Sequence, residues 1–393
     1  MRISSIECGR VVAILAVMTI HLSPFSNPFD PALWDGTPYP LVGAVINQLC
    51  RFAVPLFFLC AGYFLQPALA AGHPLTVALR YCRPLLGLWL AWSLLYVLIP
   101  FNPLAAVSEG YLPAMAGQWQ MQLGDPLNVW WVGGMIHLWF LPALMVAVLI
   151  LGLCQQARLP RLALLLGALL YALALIGGSY GPLLPGGEWA LLTRNGPFFS
   201  LLFVALGAEL RLRAWQPDAR RCALMMMAGM GLYALEAAGL LRVAAVPLAR
   251  HDFLLGSLPW ALGLFGLLLA NPAWGKGSWL ERQAPKVLGL YCLHMMLVVW
   301  LMIFGPQGKQ VWWELLKVPA LLALTLLGYR LLAATALSRW LLRAREKQNP
   351  DQPADQRGSA QNRASAGAGG SGQRQGGSGC TPPWAVRRGR GCG

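Results

Sequence analysis

The chain has 393 residues and a formal net charge of +15, with 57% of residues hydrophobic and only 11% charged. A soluble globular chain carries about 25% charged residues, so too little charge is present to cover a water-exposed surface, and a soluble fold is excluded. The positive balance does not point to nucleic acid, because the basic residues stand in short clusters between apolar runs, the pattern that orients a membrane protein.

The apolar runs, in chain order, cover 10–26, 41–65, 81–100, 136–154, 161–178, 195–210, 222–241, 253–270, 287–305 and 318–338. Crossing a bilayer takes roughly 20 apolar residues in a helix. Only helices and closed barrels satisfy their backbone in lipid, and these runs are continuous rather than alternating. The expected fold is an all-α integral membrane bundle of about ten transmembrane helices. The first run lacks a small-x-small cleavage site and is followed by Pro24, so it reads as a span rather than a cleaved signal.

Arg80 with Arg83, Arg158 with Arg161, and Arg211, Arg213, Arg220 with Arg221 lie on alternate connections. Lys276, Arg282 and Lys286 continue the series, as do Arg339, Arg343, Arg345 and Lys347. The positive-inside rule then puts both termini in the cytoplasm. The opposite loops carry Asp30, Asp35, Glu109, Asp125 and Glu188. Connection 101–135, with Trp119, Trp130 and Trp131, is expected to lie flat at the interface. Residues 1–347 form the transmembrane domain. Residues 348–393 are rich in Gly, Ser, Gln and Arg and read as a disordered low-complexity cytoplasmic tail. Cys8, Cys50, Cys60, Cys82, Cys154, Cys222 and Cys292 lie in or beside apolar runs without CxxC or metal spacing. They read as packing residues, and no metal site is expected.

Ionisable residues inside spans are costly and mark candidate sites; here they are Arg10, His21, Arg51, His137, Glu209, Glu236 and His294. Eleven steps of about 100° return His21 to within roughly 20° of the Arg10 face, about 16 Å further along the helix. Glu7, one turn before Arg10, shares that face. The stripe suits an anchor and a base for a long donor. It equally suits an orienting arginine and a histidine satisfied by a neighbouring helix. Arg51 needs a partner within the second run, and Glu236 is the acid expected at similar depth. His137 and His294 lie near run ends and read as interface residues, and Tyr291 as a packing aromatic.

Arg10-x10-His21 resembles the signature of the acyltransferase 3 family of integral-membrane acyltransferases. The stretch Arg51-Phe-Ala-Val-Pro55-Leu-Phe57-Phe58-Leu-Cys-Ala61-Gly62-Tyr63-Phe64 is similar to that family's R-x-x-V-P-L-F-F-x-x-S-G-Y block, with Ala61 in place of the serine. His137-Leu-Trp139-Phe140 resembles its H-L-W-F block. Thr193-Arg194-Asn195-Gly196 and Leu288-Gly289-Leu290-Tyr291-Cys-Leu-His294 are also similar to family stretches. The overall look is nearest the bacterial branch that O-acetylates surface polysaccharides, the enterobacterial common antigen among them.

The resemblance implies a multi-pass enzyme of the bacterial inner membrane. It would move an acyl group, most simply acetyl, from cytoplasmic acyl-CoA to a hydroxyl of a cell-surface glycan or lipid-linked saccharide. His21 would be the base or acyl relay and Arg10 its catalytic companion at the donor's mouth. Arg10, Arg80 and Arg83 would meet the anionic CoA, and Arg51, Glu236, Tyr291 and His294 would support the substrate. The alternative is a transporter or flippase of a lipid-linked saccharide, for which broken helices in two related halves are expected; no internal repeat is seen.

Overall fold

Long stretches of Leu, Ala, Met and Val favour helix, and the breaks between them fall at proline, glycine and capping side chains. The computed structural model describes residues 2–26, 33–187 and 189–342; Asp30, Glu188, Arg343, Arg345, Lys347 and the tail 348–393 lie outside the described residues. Helix α1 covers Ser4–Leu22, α2 Tyr39–Leu49, α3 Ala53–Ala71 and α4 Pro74–Leu98. Three short helices come next, α5 Pro103–Ser108, α6 Tyr111–Leu123 and α7 Pro126–Val132, and then a 3-10 turn, Ile136–Trp139. The bundle continues with α8 Phe140–Gln156, α9 Pro160–Gly177, α10 Pro197–Leu212, α11 Ala219–Ala244 and α12 Ser257–Ala270. It ends with α13 Trp279–Gln283, α14 Val287–Phe304, α15 Val311–Ala333 and α16 Ser338–Leu341. No strand occurs among the described residues.

Proline opens α4, α9 and α10 in the first turn, where its missing N–H costs nothing. Asn102, Asp125, Asp218 and Ser278 cap α5, α7, α11 and α13 with side-chain oxygens. Among the described residues, eight helical segments are long and apolar enough to cross a membrane: 4–22, 39–71, 74–98, 136–156, 160–177, 219–244, 279–304 and 311–333. The other two runs carry α10 and α12, of 16 and 14 residues. At 1.5 Å per residue these are about 24 and 21 Å long, short of the roughly 30 Å of hydrocarbon.

The run at 41–65 is not one straight helix. It breaks at Cys50–Phe52 between α2 and α3, and Arg51 sits in that break. Connection 101–135 folds as the three short helices, with Trp119 Nε1 donating to the Val97 carbonyl at 2.9 Å. Trp130 is 79% exposed, whereas Trp131 lies under Gly196, whose φ of 61° few side-chain-bearing residues adopt.

Helix α1 packs against α3, α12, α14 and α15, so the stripe it carries faces the bundle interior. The tightest approach joins α3 to α10. A Cβ at Gly62 would collide with the Val204 carbonyl, and one at Gly207 with the Leu59 carbonyl; small residues allow such close backbones in membranes. Bonds among the connections sort them onto two ends. At one end Ser5 N–H donates to Pro272 O at 3.3 Å, and Arg211 donates to Tyr63 Oη at 3.2 Å. At the other, Asn47 Nδ2 donates to Ile20 O at 3.3 Å, and Tyr233 Oη donates to Gln48 Oε1 at 2.6 Å. Large apolar side chains such as Leu94, Leu235 and Val243 point outward, as lipid contact requires.

Candidate active site

The stripe predicted on α1 is present, and it lines a cavity. Arg10 Nη1 donates to Glu7 Oε2 at 3.2 Å, the local pair that their three-residue spacing allows. Eleven residues on, His21 stands in the last turn of α1. A cavity of about 460 Å³ touches Glu7, Arg10, Val17 and His21 along the whole stripe. Its other walls come from α3 (Phe57, Cys60, Ala61), α4 (Tyr81, Leu85), the turn before α8 (His137, Trp139) and α14 (Tyr291). The volume lies within the range of small-molecule sites, and the two ends differ in chemistry. One end is a guanidinium–carboxylate pair; the other is imidazole among aromatic rings.

The position of His21 is fixed by the residues just beyond it. Ser23 takes a left-handed φ of 42° and its N–H donates to Thr19 O at 2.9 Å, closing the helix. The chain is then held to α15. Phe25 N–H donates to Glu314 Oε2 at 2.6 Å, Lys317 pairs with the same carboxylate at 2.6 Å, and Lys317 Nζ donates to Ser23 O at 3.4 Å. Glu314 and Lys317 are both buried. A paired, hydrogen-bonded charge is the form in which burial is tolerated.

Three histidines meet at this end. The His21 ring centroid is 5.4 Å from that of His294 and 6.4 Å from that of His137, and the last two are 5.1 Å apart. His137 and His294 are fully buried, which corrects their reading as interface residues. His137 belongs to a turn tucked into the bundle ahead of α8, and His294 lies two turns inside α14. Tyr291 is more than packing, since its hydroxyl donates to the His137 carbonyl and ties α14 to that turn. Among the described residues no group of His, Cys, Asp and Glu is arranged to hold a metal ion.

The expected pairing of Arg51 with Glu236 is not formed. Arg51 Nη1 meets Asp252 Oδ1 at 2.7 Å, its Nε donates to Asn47 Oδ1 at 3.1 Å, and its Nη2 donates to Ala249 O at 3.3 Å. Arg194 Nη1 takes the other carboxylate oxygen, Asp252 Oδ2, at 2.6 Å. Its guanidinium carbon lies 5.7 Å from the centroid of Trp139, a cavity wall. Burial works against the Asp252 carboxylate, but the Arg194 and Arg51 guanidiniums outweigh it and hold its pKa below the ordinary value. Beside it, burial and then Arg51 push the His251 imidazole down. Glu236 instead accepts from the Tyr180 hydroxyl and from the N–H groups of Leu255, at 3.3 Å, and Gly256, at 2.8 Å. It holds the turn that leads into α12, where a carboxylate also meets the positive helix end.

Arg80 and Arg83 are exposed on α4, two to three turns past its start, and do not line the cavity, whereas Tyr81 between them does. The serine-to-alanine departure falls on a wall: Ala61 lines the cavity, while its neighbour Gly62 makes the contact with α10. Sequence reasoning missed Asp252 and Arg194. Arg194 stood inside a recognised block, and Asp252 is the sole acidic residue between 245 and 256.

A partly open, largely apolar chamber with an arginine at one end and a histidine at the other thus lies inside a bundle of membrane-length helices. Residues 3–333 match the acyltransferase domain of the acyltransferase 3 family, and the chain belongs to that family. It is 27% identical over 311 residues to a serine/alanine racemase of Enterococcus gallinarum, which covers 75% of this chain and 40% of that protein. It is 26% identical over 312 residues to an amino-acid racemase of Enterococcus faecalis, covering 76% and 41%. The chain thus spans about two fifths of the length of the curated relatives it matches. No solved structure matches it.

Proposed function

We propose that this chain is a multi-pass inner-membrane O-acyltransferase that moves an acyl group, most simply acetyl, from cytoplasmic acyl-CoA to a hydroxyl of a surface glycan or lipid-linked saccharide. The observation that carries this reading is the single cavity running from the Glu7–Arg10 pair to His21. The stripe covers about 16 Å, which suits an extended thioester arm with its anionic head at Arg10 and its carbonyl near His21. In this reading ten helices cross the membrane, with α10 and α12 as short central passes shielded by their neighbours, and both termini are cytoplasmic. Glu7 and Arg10 then stand at the inner mouth and His21 toward the outer side.

The chemistry is set by those positions. The acceptor hydroxyl oxygen attacks the thioester carbonyl while His21 takes its proton. The carbon–sulfur bond breaks, and the departing thiolate takes that proton from the imidazolium. His21 returns to its starting state, and the cavity walls keep water from competing for the acyl group. The racemase names belong to proteins of which about three fifths lies outside the match. The acyl-transfer reading rests on the domain that the match itself covers.

The test uses purified full-length protein in vesicles made from bacterial inner-membrane lipid extract, with labelled acetyl-CoA supplied outside or inside. Label should pass into the saccharide-bearing fraction with wild type. His21→Ala should lose about 100- to 10,000-fold, the usual worth of a general base, with insertion unchanged. His21→Gln should fail as well, because an amide keeps a hydrogen bond but takes no proton. Transfer by His21→Gln at the wild-type rate sinks the mechanism. Saccharide movement without any need for acyl-CoA would instead establish a flippase.

A further inference from the structure

The three-histidine cluster holds more than the base. His294 Nδ1 lies 2.6 Å from the Tyr291 carbonyl oxygen. A carbonyl only accepts, so Nδ1 carries the hydrogen, and in the neutral ring Nε2 carries the lone pair. That Nε2 is buried and has no hydrogen-bond partner. An unmade buried acceptor costs roughly 1–3 kcal/mol, so the arrangement is incomplete as it stands. Among the described residues, the ring N–H groups beside it in the cluster are those of His21, with centroid 5.4 Å away, and His137, at 5.1 Å. Neither ring nitrogen of His137 has a hydrogen-bond partner among the described residues, and its ring stands at 85° to that of His294, whereas the His21 ring is tilted to it by 46°.

The backbone behind His294 is held firmly. Tyr96 Oη donates to the Cys292 carbonyl at 2.8 Å, and the Tyr291 hydroxyl donates to the His137 carbonyl. Tyr96, Cys292 and His294 are all fully buried. Two tyrosines on different elements therefore clamp the turn of α14 that presents His294. A ring so clamped, with its tautomer set by a backbone carbonyl, is the kind of third group that orients a catalytic base.

We propose that His294 is a positioning residue for His21. Its Nε2 accepts the N–H of His21, which turns the opposite, unprotonated nitrogen of His21 toward the cavity. The inference rests on the reading of His21 as the base. Rotation of the His21 ring closes the bond while His294 stays on the Tyr291 carbonyl, and closure makes His21 a single tautomer rather than a mixture of two. Without His294 the wrong tautomer presents an N–H, not a lone pair, to the acceptor hydroxyl. No proton is gained or lost at His294 in the cycle.

Two substitutions keep opposite halves of the imidazole. His294→Gln places an amide oxygen near the Nε2 position, and His294→Asn places an amide N–H near the Nδ1 position. Both are assayed as purified full-length protein with acetyl-CoA and inner-membrane lipid extract, beside His21→Ala and with thermal unfolding as a check. His294→Gln should keep its kcat within a few-fold. His294→Asn should lose about 100- to 10,000-fold in kcat, the range for a lost or wrongly tautomeric base, with the KM for acetyl-CoA unchanged. A purely structural histidine gives the reverse order. His294→Asn at the wild-type rate, or His294→Gln as damaged as His294→Asn, overturns the proposal. If His21→Ala is also fully active, the reading of His21 as base has failed; if His21→Ala is inactive and His294→Asn is not, only the role of His294 has. A readout free of activity uses wild-type protein with ¹⁵N-labelled histidine, whose five histidines are assigned by single substitution. The signals must show His294 with Nδ1 protonated and Nε2 bare, and a protonated Nε2 overturns the proposal even where the variants fail to fold.

Discussion

Removing the Asp252 carboxylate takes away the group that joins two arginines from different connections, Arg51 between α2 and α3 and Arg194 ahead of α10. Asp252 meets Arg51 at 2.7 Å and Arg194 at 2.6 Å, with the three side chains between 13% and 30% exposed. Each pair is worth about 4 kcal/mol at an effective dielectric near 20, before desolvation is subtracted. Breaking a buried ion pair costs about 3–5 kcal/mol, and the partial exposure of Asp252 places Asp252→Ala near the lower end, about 3 kcal/mol. Arg51 also holds Asn47 and the Ala249 carbonyl, so Arg51→Ala alone mixes several losses. A double-mutant cycle isolates the pair. Arg51→Ala with Asp252→Ala should show a coupling of about 1–3 kcal/mol, whereas Arg51→Ala with Glu236→Ala should add within about 0.5 kcal/mol. The assay is reversible unfolding in mixed detergent micelles, followed by tryptophan fluorescence. The pKa of Asp252 is lowered in the fold, so its contribution is complete above the unfolded value of about 3.9 and fades as pH falls through the folded one. Additivity in the Arg51–Asp252 cycle, or coupling in the Arg51–Glu236 cycle, would refute the geometry on which this rests.

Arg10→Ala should raise the KM for acyl-CoA roughly 10- to 100-fold, the worth of one charged hydrogen bond, with partial rescue at high donor; Arg10→Lys should recover only part, since it keeps the charge and loses the planar fork. An unchanged KM in Arg10→Ala removes the donor from that mouth. Reporter fusions near Gly72 and after Arg345 should read cytoplasm and one near Gly117 periplasm, and the reverse at any two sites overturns the orientation. His251 is pushed down by burial and by Arg51, against the pull of Asp252 and with Arg250 adding to the push. Its contribution to stability is therefore complete above the unfolded value of about 6.5 and is lost as pH falls toward the folded one; His251→Gln should flatten that limb of a stability–pH curve.

The helical character of the runs, the α1 stripe and the recognisable blocks were legible because each lives in local order: run length, an eleven-residue interval, a string of neighbours. Contacts between helices were not. Arg51 was matched to Glu236 by counting depth from run ends, and the count failed because Arg51 reaches the loop after α11 rather than α11 itself. Its true partner lies 201 residues away, in a loop just before an apolar run, where an acid looks like an ordinary loop charge. His137 was misjudged for a related reason. Distance from the end of a run measures depth only if the run begins at the membrane surface, and here the turn Ile136–Trp139 is folded into the core. Arg80 and Arg83 lie six and nine residues past the start of α4, exposed and outside the cavity lining.

Ala61 shows what adjacency on a helix can separate. Sequence alone left two explanations for the missing serine: a hydroxyl lost from the site, or a small residue kept for helix contact. In the structure these duties fall on neighbours about 100° apart, with Gly62 against α10 and Ala61 on the cavity wall. The two positions should therefore fail differently. Gly62→Ala drives a methyl into the Val204 carbonyl and should cost about 1–3 kcal/mol through overpacking, lowering stability without a specific effect on the donor. Ala61→Leu places its added carbons in the open cavity, where they meet no packed backbone. Its unfolding midpoint should stay near wild type, while the KM for acetyl-CoA rises at least about tenfold, since crowding that removes only about 1.4 kcal/mol of donor binding has that effect. Ala61→Ser adds only a hydroxyl to the wall and should leave both within about 0.5 kcal/mol, as for substitutions away from packed features. Donor titrations and detergent unfolding on the same three proteins separate the two effects. An Ala61→Leu protein that folds normally and binds acetyl-CoA as wild type does would show that the donor takes another path than the cavity along α1.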